Sequence, residues 1–199
     1  NVVDTDEYSP TDGRIETGVK RFIHISCFED RSKNISGLLH TLARLSEVRS
    51  DFECILVGEG MDLDLMKKLA NDLNLVTSRV KFTGLLENQD VVMAYREADF
   101  MVMFSNYENM PVVISEALAC GLPVVATAVG GIPEFVNADN GRLIAARDEA
   151  ALLEAICFML DHSHEYDRQK IRQNAVQVFG KPAVASKLKE LYSFANSRL

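Results

Sequence analysis

The stretch FMVMFSNYENMPVVISEALACGLPVVATAVGG, Phe100 to Gly131, decides the fold. Phe100 to Phe104 is a nearly continuous apolar run, as expected of a strand buried on both faces. Pro111 to Cys120 is apolar and long enough for a helix, and Pro123 to Ala126 is a second apolar run. Strand, helix and strand in that order make one β-α-β unit, whose strands pair in parallel. Working outward, the same alternation continues. Arg21 to Phe28 is a short β-rich run. Ile35 to Val48 carries Ile35, Leu38, Leu39, Leu42 and Leu45 at helical spacing, with Asn34 or Ser36 as the expected cap. Phe52 to Val57 is a strand stopped by Gly58, and Leu63 to Leu75 a helix with Leu65, Met66, Leu69 and Leu73 on one face. Arg79 to Phe82 is a strand ending at Gly84, Val91 to Arg96 a short helix, and Gly141 to Ile144 the last strand. Helices are expected at about 148–162, 165–178 and 182–197, with Pro182 suited to a first helical position. The pattern predicts a Rossmann-like, doubly wound α/β domain, in which ligands bind at the carboxyl ends of the strands where strand order reverses.

The composition agrees with such a domain. The 199 residues are 47% hydrophobic and 25% charged, with a net charge of −8. A chain of this length buries roughly 70% of its extended surface, enough for one self-sufficient core. The acidic balance argues against a nucleic-acid surface, which needs clustered Lys and Arg. No apolar run reaches the ~18 residues of a membrane span, and the polar start, Asn1 to Thr17, is not expected to be a signal peptide. Cys27, Cys54, Cys120 and Cys157 contain no Cys-x-x-Cys pair, and each sits in an apolar stretch. They are expected to be reduced core thiols in a cytosolic protein. His24, His40, His162 and His164 show no metal-type spacing, and His162 and His164 are expected to be solvated at a helix end.

Four loops can carry chemistry. Arg31 and Lys33 follow the first strand and precede a helix, so their charges add to the positive end of that helix dipole, a setting for an anion; the alternative is a solvated charged loop. Gly58 and Gly60 follow the second strand, but Leu63 stands where a dinucleotide fingerprint needs its third glycine. They are expected to permit a tight turn or a close backbone approach to a ligand. Glu108 and Glu116 bracket the start of the Pro111 to Cys120 helix. Glu116 lies in an otherwise apolar helix, so it needs a ligand or an internal Arg or Lys partner. It is about 9 Å along the helix axis from the N-terminus, whose amides can hold a phosphate. Acid, anion site and acid over about 12 Å suit a molecule with hydroxyls at both ends and phosphates between, which describes a nucleotide-sugar. Gly130 and Gly131, after the fifth strand, open either a ligand approach or a turn, with Glu134 as a brace.

These residues carry a resemblance. Glu108 to Thr127, followed by Gly130-Gly131-Ile132-Pro133-Glu134, resembles the Glu-x7-Glu block of the retaining glycosyltransferases of family 4 (group 1). Val57-Gly58-Glu59-Gly60 and Val80-Lys81-Phe82-Thr83-Gly84 fit the same pattern. Asn1 to Asp6 with Pro10 resembles the lead-in between that family's two Rossmann-like domains, the GT-B architecture. The resemblance covers essentially the whole chain. It implies that residues 1–199 are the second, donor-binding domain, with 1–20 as interdomain lead-in and 181–199 as a crossover-type C-terminal helix, the acceptor domain being absent.

The resemblance also implies roles. Lys33 and Glu108 are the catalytic candidates: Lys33 pairs with the diphosphate leaving group and Glu108 contacts hydroxyls of the donor sugar. Glu116 binds ribose hydroxyls. Asn109, Met110, Pro111 and Val112 hold sugar and phosphates around the helix start, and Gly60, Gly84 and Leu85 line the nucleotide side. The family places an arginine directly after the first strand; Cys27, Phe28 and Glu29 stand there instead, and Arg31 is the nearest substitute. No metal and no cofactor is expected, the substrate being a nucleotide-diphosphate sugar. The implied activity is hexosyl transfer with retention, in polysaccharide biosynthesis, by a cytoplasmic protein that in full length sits free or at the inner membrane face. The implied partners are the donor, the missing domain and an acceptor glycan, lipid or small molecule. Three other readings compete: a non-catalytic nucleotide-sugar-binding or scaffolding relative, favoured by the displaced arginine; a GT-B nucleotide-sugar epimerase, opposed by the Glu-x7-Glu block; and a flavodoxin-like signalling domain, opposed because Asp99 precedes its strand.

Overall fold

The computed structural model of the chain describes residues 1–11, 18–76 and 79–196. Residues 12–17 of the expected lead-in and 197–199 of the expected last helix lie outside them. In chain order the elements are β1 (Lys20–Ile25), α1 (Asp30–Lys33), α2 (Ile35–Val48), β2 (Phe52–Val57), α3 (Leu63–Asp72), β3 (Val80–Gly84), α4 (Gln89–Glu97), β4 (Phe100–Met103), α5 (Val112–Ala119), β5 (Val124–Thr127), β6 (Gly141–Ile144), α6 (Glu149–His162), α7 (Arg168–Phe179) and α8 (Lys181–Asn196). The six strands form one sheet in the order β3-β2-β1-β4-β5-β6, and every pairing is parallel. This is the doubly wound order, with its reversal between β1 and β4.

Alternation along the strands sends side chains to two cores. Phe22, Phe52, Leu56, Phe100 and Val102 face α2, α3 and α6. Ile23, Ile25, Met101, Met103 and Val124 face α4, α5 and α7. Phe22 stacks on Phe100 across the β1–β4 seam, with centroids 4.8 Å apart, which places an apolar anchor directly under the switch point. The first residues belong to the second core. Val3 is buried there and pairs in parallel with Gly180. Arg172 donates to the carbonyls of Thr5 and Tyr8, and Arg96 to that of Ser9.

Four expectations are corrected. Neither Asn34 nor Ser36 caps α2 through its side chain. Asn34 takes a left-handed conformation, and Asp30, from the preceding short helix, accepts from the Ser36 amide at 2.7 Å and its hydroxyl at 2.6 Å. The capping carboxylate arrives from the turn before, a placement that a search for a residue adjacent to the helix overlooks. Among the cysteines, all free, Cys54 and Cys120 are buried, but Cys27 is exposed. It lies just past β1, where the chain has left the sheet. Pro182 is the second rather than the first residue of its helix. Of the two histidines expected to be solvated, His164 is exposed, whereas His162 is half-buried and bonded to Glu165 at 2.8 Å. No described helix is long and apolar enough to cross a membrane.

Candidate functional site

The reversal of strand order brings together the loops that leave β1 and β4, the place where ligands of such sheets bind. The β1 loop continues into α1, whose last residue is Lys33. The β4 loop, Phe104 to Pro111, continues into α5. Lys33 Nζ donates to Glu108 Oε1 at 2.6 Å, and the Ser105 hydroxyl donates to the same oxygen at 2.8 Å. The Glu108 side chain is 7% exposed and that of Lys33 17%, so the ion pair is largely withdrawn from water. Such a pair holds because both charges are compensated; stripping either partner leaves a costly buried charge.

Backbone contacts fix both loops. The Asn106 amide donates to Ser32 O at 2.7 Å, and its side-chain Nδ2 donates to Arg31 O at 3.1 Å. Arg147 Nε reaches Asn106 Oδ1 from the β6–α6 loop at 3.3 Å. Thr127, at the end of β5, donates to Ser105 O at 2.7 Å. The Gly131 amide donates to Asn109 O at 2.7 Å. A Cβ on Gly130 would lie 1.9 Å from Glu108 O, so the paired glycines let the β5 loop press its backbone against the acid-bearing loop.

His24 lies beneath these loops, fully buried in β1. Nδ1 is 3.0 Å from Val102 O and Nε2 is 2.8 Å from the Ser26 hydroxyl. A carbonyl can only accept, so Nδ1 carries the proton and Nε2 accepts from Ser26. Burial, with a smaller push from the Lys33 ammonium, lowers the His24 pKa to about 4 against the Val102 bond. The ring is therefore neutral at physiological pH.

On the β4 side, Pro111 is the N-cap of α5 and no side chain caps the helix. The Val112 and Val113 amides are thus available to an acceptor from outside the helix, while that of Ile114 turns back to Pro111 O at 3.3 Å. Glu116, half-buried, lies just over one turn further along. The internal partners that the sequence reading offered it were Arg or Lys; the structure supplies a tyrosine. The Tyr95 hydroxyl donates to Glu116 Oε2 at 2.9 Å, and the Tyr8 ring packs edge to face on that of Tyr95 with centroids 6.1 Å apart. Burial raises the Glu116 pKa above the ordinary carboxylate value, the Tyr95 and Tyr8 hydroxyls pull it back, and the nearby Glu7 raises it again.

The remaining candidates lie along the carboxyl rim. Gly58 and Gly60 adopt positive φ, and a Cβ on them would strike Ser26 O and the Phe28 backbone at 1.9 and 2.6 Å. The close approach that these glycines permit is therefore to the β1 loop. Gly84 ends β3 and accepts from the Gly58 amide at 2.9 Å, with Leu85 exposed beyond it. The Arg31 side chain is exposed at the outer edge of α1. Phe28, in the stretch where the resemblance implies an arginine, is buried against Phe82. The fold thus gathers Lys33, Glu108, Asn109, Met110, Pro111, Val112 and Glu116 around the switch point, with Gly60, Gly84 and Leu85 further along the β2–β3 side. Sequence reasoning missed His24, Ser105, Tyr8 and Tyr95. Tyr95 reads as an apolar-face residue of α4, and nothing local marks Tyr8.

A sequence profile of the family described as "Glycosyl transferases group 1" matches residues 19–162. The chain is 30% identical over 182 residues to N-acetyl-alpha-D-glucosaminyl L-malate synthase of Bacillus anthracis, covering 89% of this chain and 46% of that protein. The fold superposes on sucrose-phosphate synthase from Thermosynechococcus elongatus with a TM-score of 0.85 at 23% identity, over 100% of this chain and 52% of that one. It superposes on Anabaena HepE in complex with UDP with a TM-score of 0.84 at 24% identity, over 97% and 56%. The chain belongs to the group 1 glycosyltransferases. Its Rossmann-like sheet corresponds to part of the GT-B glycosyltransferase structures, and it spans about half the length of the relatives it matches.

Proposed function

We propose that this chain is the donor-binding domain, residues 1–199, of a retaining hexosyltransferase. One observation carries the reading: the Lys33–Glu108 ion pair sits at the switch point, beside an uncapped α5 N-terminus, with Glu116 eight positions further on. A nucleotide-diphosphate sugar meets each part. Its diphosphate takes the Lys33 ammonium and the α5 amides, and no metal is needed to balance its charge. Glu108, relieved of Lys33, accepts from hydroxyls of the sugar, and Glu116 accepts from the ribose diol. As the C1–O bond breaks, negative charge grows on the diphosphate and positive charge on the sugar. Lys33 and the amides are already aimed at the first, and Glu108 lies beside the second. Preorganised groups of this kind lower the barrier. UDP in the HepE complex supports a nucleotide ligand for this fold.

The acceptor, a glycan, lipid or small molecule, is assigned to a preceding domain that Asn1 to residue 20 leads from and residues 181–199 return to. Four free cysteines suit a reducing, cytoplasmic setting, free or at the inner membrane face, with polysaccharide biosynthesis as the process. A second reading, a non-catalytic nucleotide-sugar-binding relative, is favoured by Phe28, buried where the resemblance implies an arginine, and by the outlying Arg31.

Calorimetric titration with UDP, GDP and ADP tests the assignment. One nucleotide should bind selectively, and Glu116→Gln should cost more affinity for it than for its 2′-deoxy form. Equal losses for both would remove the ribose role of Glu116. The 199-residue chain alone should transfer no sugar; measurable transfer would refute the division of labour.

A further inference from the structure

Glu116 is held from behind by one tyrosine, and a second, from a different part of the chain, packs against the first. Tyr95 is fully buried on α4 and its hydroxyl reaches Oε2 at 2.9 Å. Tyr8 is half-buried in the first segment of the chain, where burial and the Glu116 charge push its phenol pKa up to about 12. The rings meet edge to face, with centroids 6.1 Å apart, so each restricts the other. Tyr8 is itself held in place: its carbonyl accepts from Arg172 at 2.8 Å, and the neighbouring Ser9 and Glu7 carbonyls accept from Arg96. A carboxylate has about four lone-pair directions. The Tyr95 hydroxyl takes one of them, leaving enough for one vicinal diol.

We infer that Tyr8 and Tyr95 are positioning residues for Glu116, fixing its carboxylate on the buried side so that its remaining lone pairs face the paired hydroxyls of a ribose. This rests on the donor-domain reading. Through Tyr8 the first segment becomes part of the nucleotide site, although Tyr8 itself touches no ligand. The arrangement bears on charge as well. The groups that face Glu116 are Glu7 and Tyr8 from the first segment, Tyr95 from α4 and Cys120 beyond its own helix, with Arg96, Arg168 and Arg172 grouped around Cys120. Within this set the tyrosine hydroxyls favour the ionised carboxylate, against burial and Glu7. Deleting one hydroxyl should therefore make Glu116 take up its proton at higher pH.

The test compares the 199-residue chain with its Tyr8→Phe and Tyr95→Phe variants. Affinities for UDP, GDP and ADP and their 2′-deoxy forms are measured across pH 5 to 8, and the Glu116 carboxyl carbon is followed by NMR in the free protein. Each variant should lose about threefold to tenfold of the preference for the ribonucleotide, keep its affinity for the 2′-deoxy form, and lose the preference at higher pH than the parent on acidification. A merely structural tyrosine would weaken both nucleotides alike. An unchanged preference with an unchanged carboxyl titration would overturn the inference while leaving the donor-domain reading intact. If the parent binds no nucleoside diphosphate, or Glu116→Gln binds as the parent does, the donor-domain reading fails and this inference falls with it.

Discussion

Acidification should destabilise this chain through His24. The folded protein buries the ring and holds it neutral, with a pKa of about 4, whereas an unfolded chain protonates histidine near 6.5. Below pH 6.5 the unfolded state binds more protons than the folded one, so stability falls as pH falls and the loss is complete below about pH 4. The difference corresponds to about 2 kcal/mol at pH 5 and about 3 kcal/mol at pH 4. The direction follows from the geometry: protonating Nε2 turns an acceptor toward Ser26 into a donor, places a charge among Phe22, Phe100 and Val102, and sets it near Lys33. The assay is urea unfolding at pH 7.5, 6.5, 5.5 and 5.0 for the parent and for His24→Asn. The asparagine amide can keep the bond to Val102 O and does not titrate. Carboxylates that also lose stability in acid are common to both proteins and cancel in the comparison. The parent's advantage over the variant should shrink by about 2 kcal/mol between pH 7.5 and 5.0. A constant advantage across that range would refute the account of His24 as a buried neutral ring.

Other outcomes follow from the same site. Lys33→Ala should destabilise the chain by about 3 kcal/mol, because it strands the Glu108 carboxylate at 7% exposure; adding Glu108→Gln should restore much of that in thermal melts. If Lys33→Ala melts with the parent, the pair does not support the fold, and if nucleoside diphosphate binds both equally, Lys33 is not its ligand. Gly130→Ala should cost about 2 kcal/mol or more, since φ is +55° and the new Cβ would lie 1.9 Å from Glu108 O. Gly18→Ala, with open space around it, serves as the control and should be near neutral. Brief alkylation of the native chain should label Cys27 first and unfolded protein at all four cysteines, read by mass spectrometry; early labelling of Cys54 would contradict its burial.

The sequence made the architecture legible because each element carries its own period. The α2 stripe and the glycine-bounded Gly141 to Ile144 run are found where the pattern put them. Glu108 and Glu116 were legible because an acid at an apolar helix start and another inside that helix need an explanation that the local sequence cannot give. What stayed hidden depends on contacts between separate elements. The Asp30 cap of α2 comes from the first residue of the preceding short helix, six positions before the Ser36 it accepts from. His24 belongs to an apolar run, and only the register of β1 beside β4 brings Val102 O to its ring. Tyr8 and Glu116 are more than a hundred residues apart in the chain, and no spacing rule joins them. Cys27 went wrong for the opposite reason: an apolar neighbourhood in sequence was read as burial, whereas the strand ends at Ile25 and the following loop turns its thiol outward.

The seam between β1 and β4 also sets an order of events in folding. β1 pairs with β2 across α1 and α2, as Phe22 does with Cys54, but with β4 through far more distant partners such as Phe22 and Phe100, and the ion pair between their loops joins residues 75 positions apart. Closing so long a loop is entropically slower than forming either side of the sheet. A half-folded chain carrying β1, β2 and β3 would hold Lys33 with no Glu108 to meet it, and the remaining strands would hold Glu108 with no cation. The site therefore exists only after the two halves dock. Any molecule that grips both of its sides would act as a clamp on that docking, slowing the chain's return to separated halves and raising its resistance to unfolding in proportion to the logarithm of its concentration.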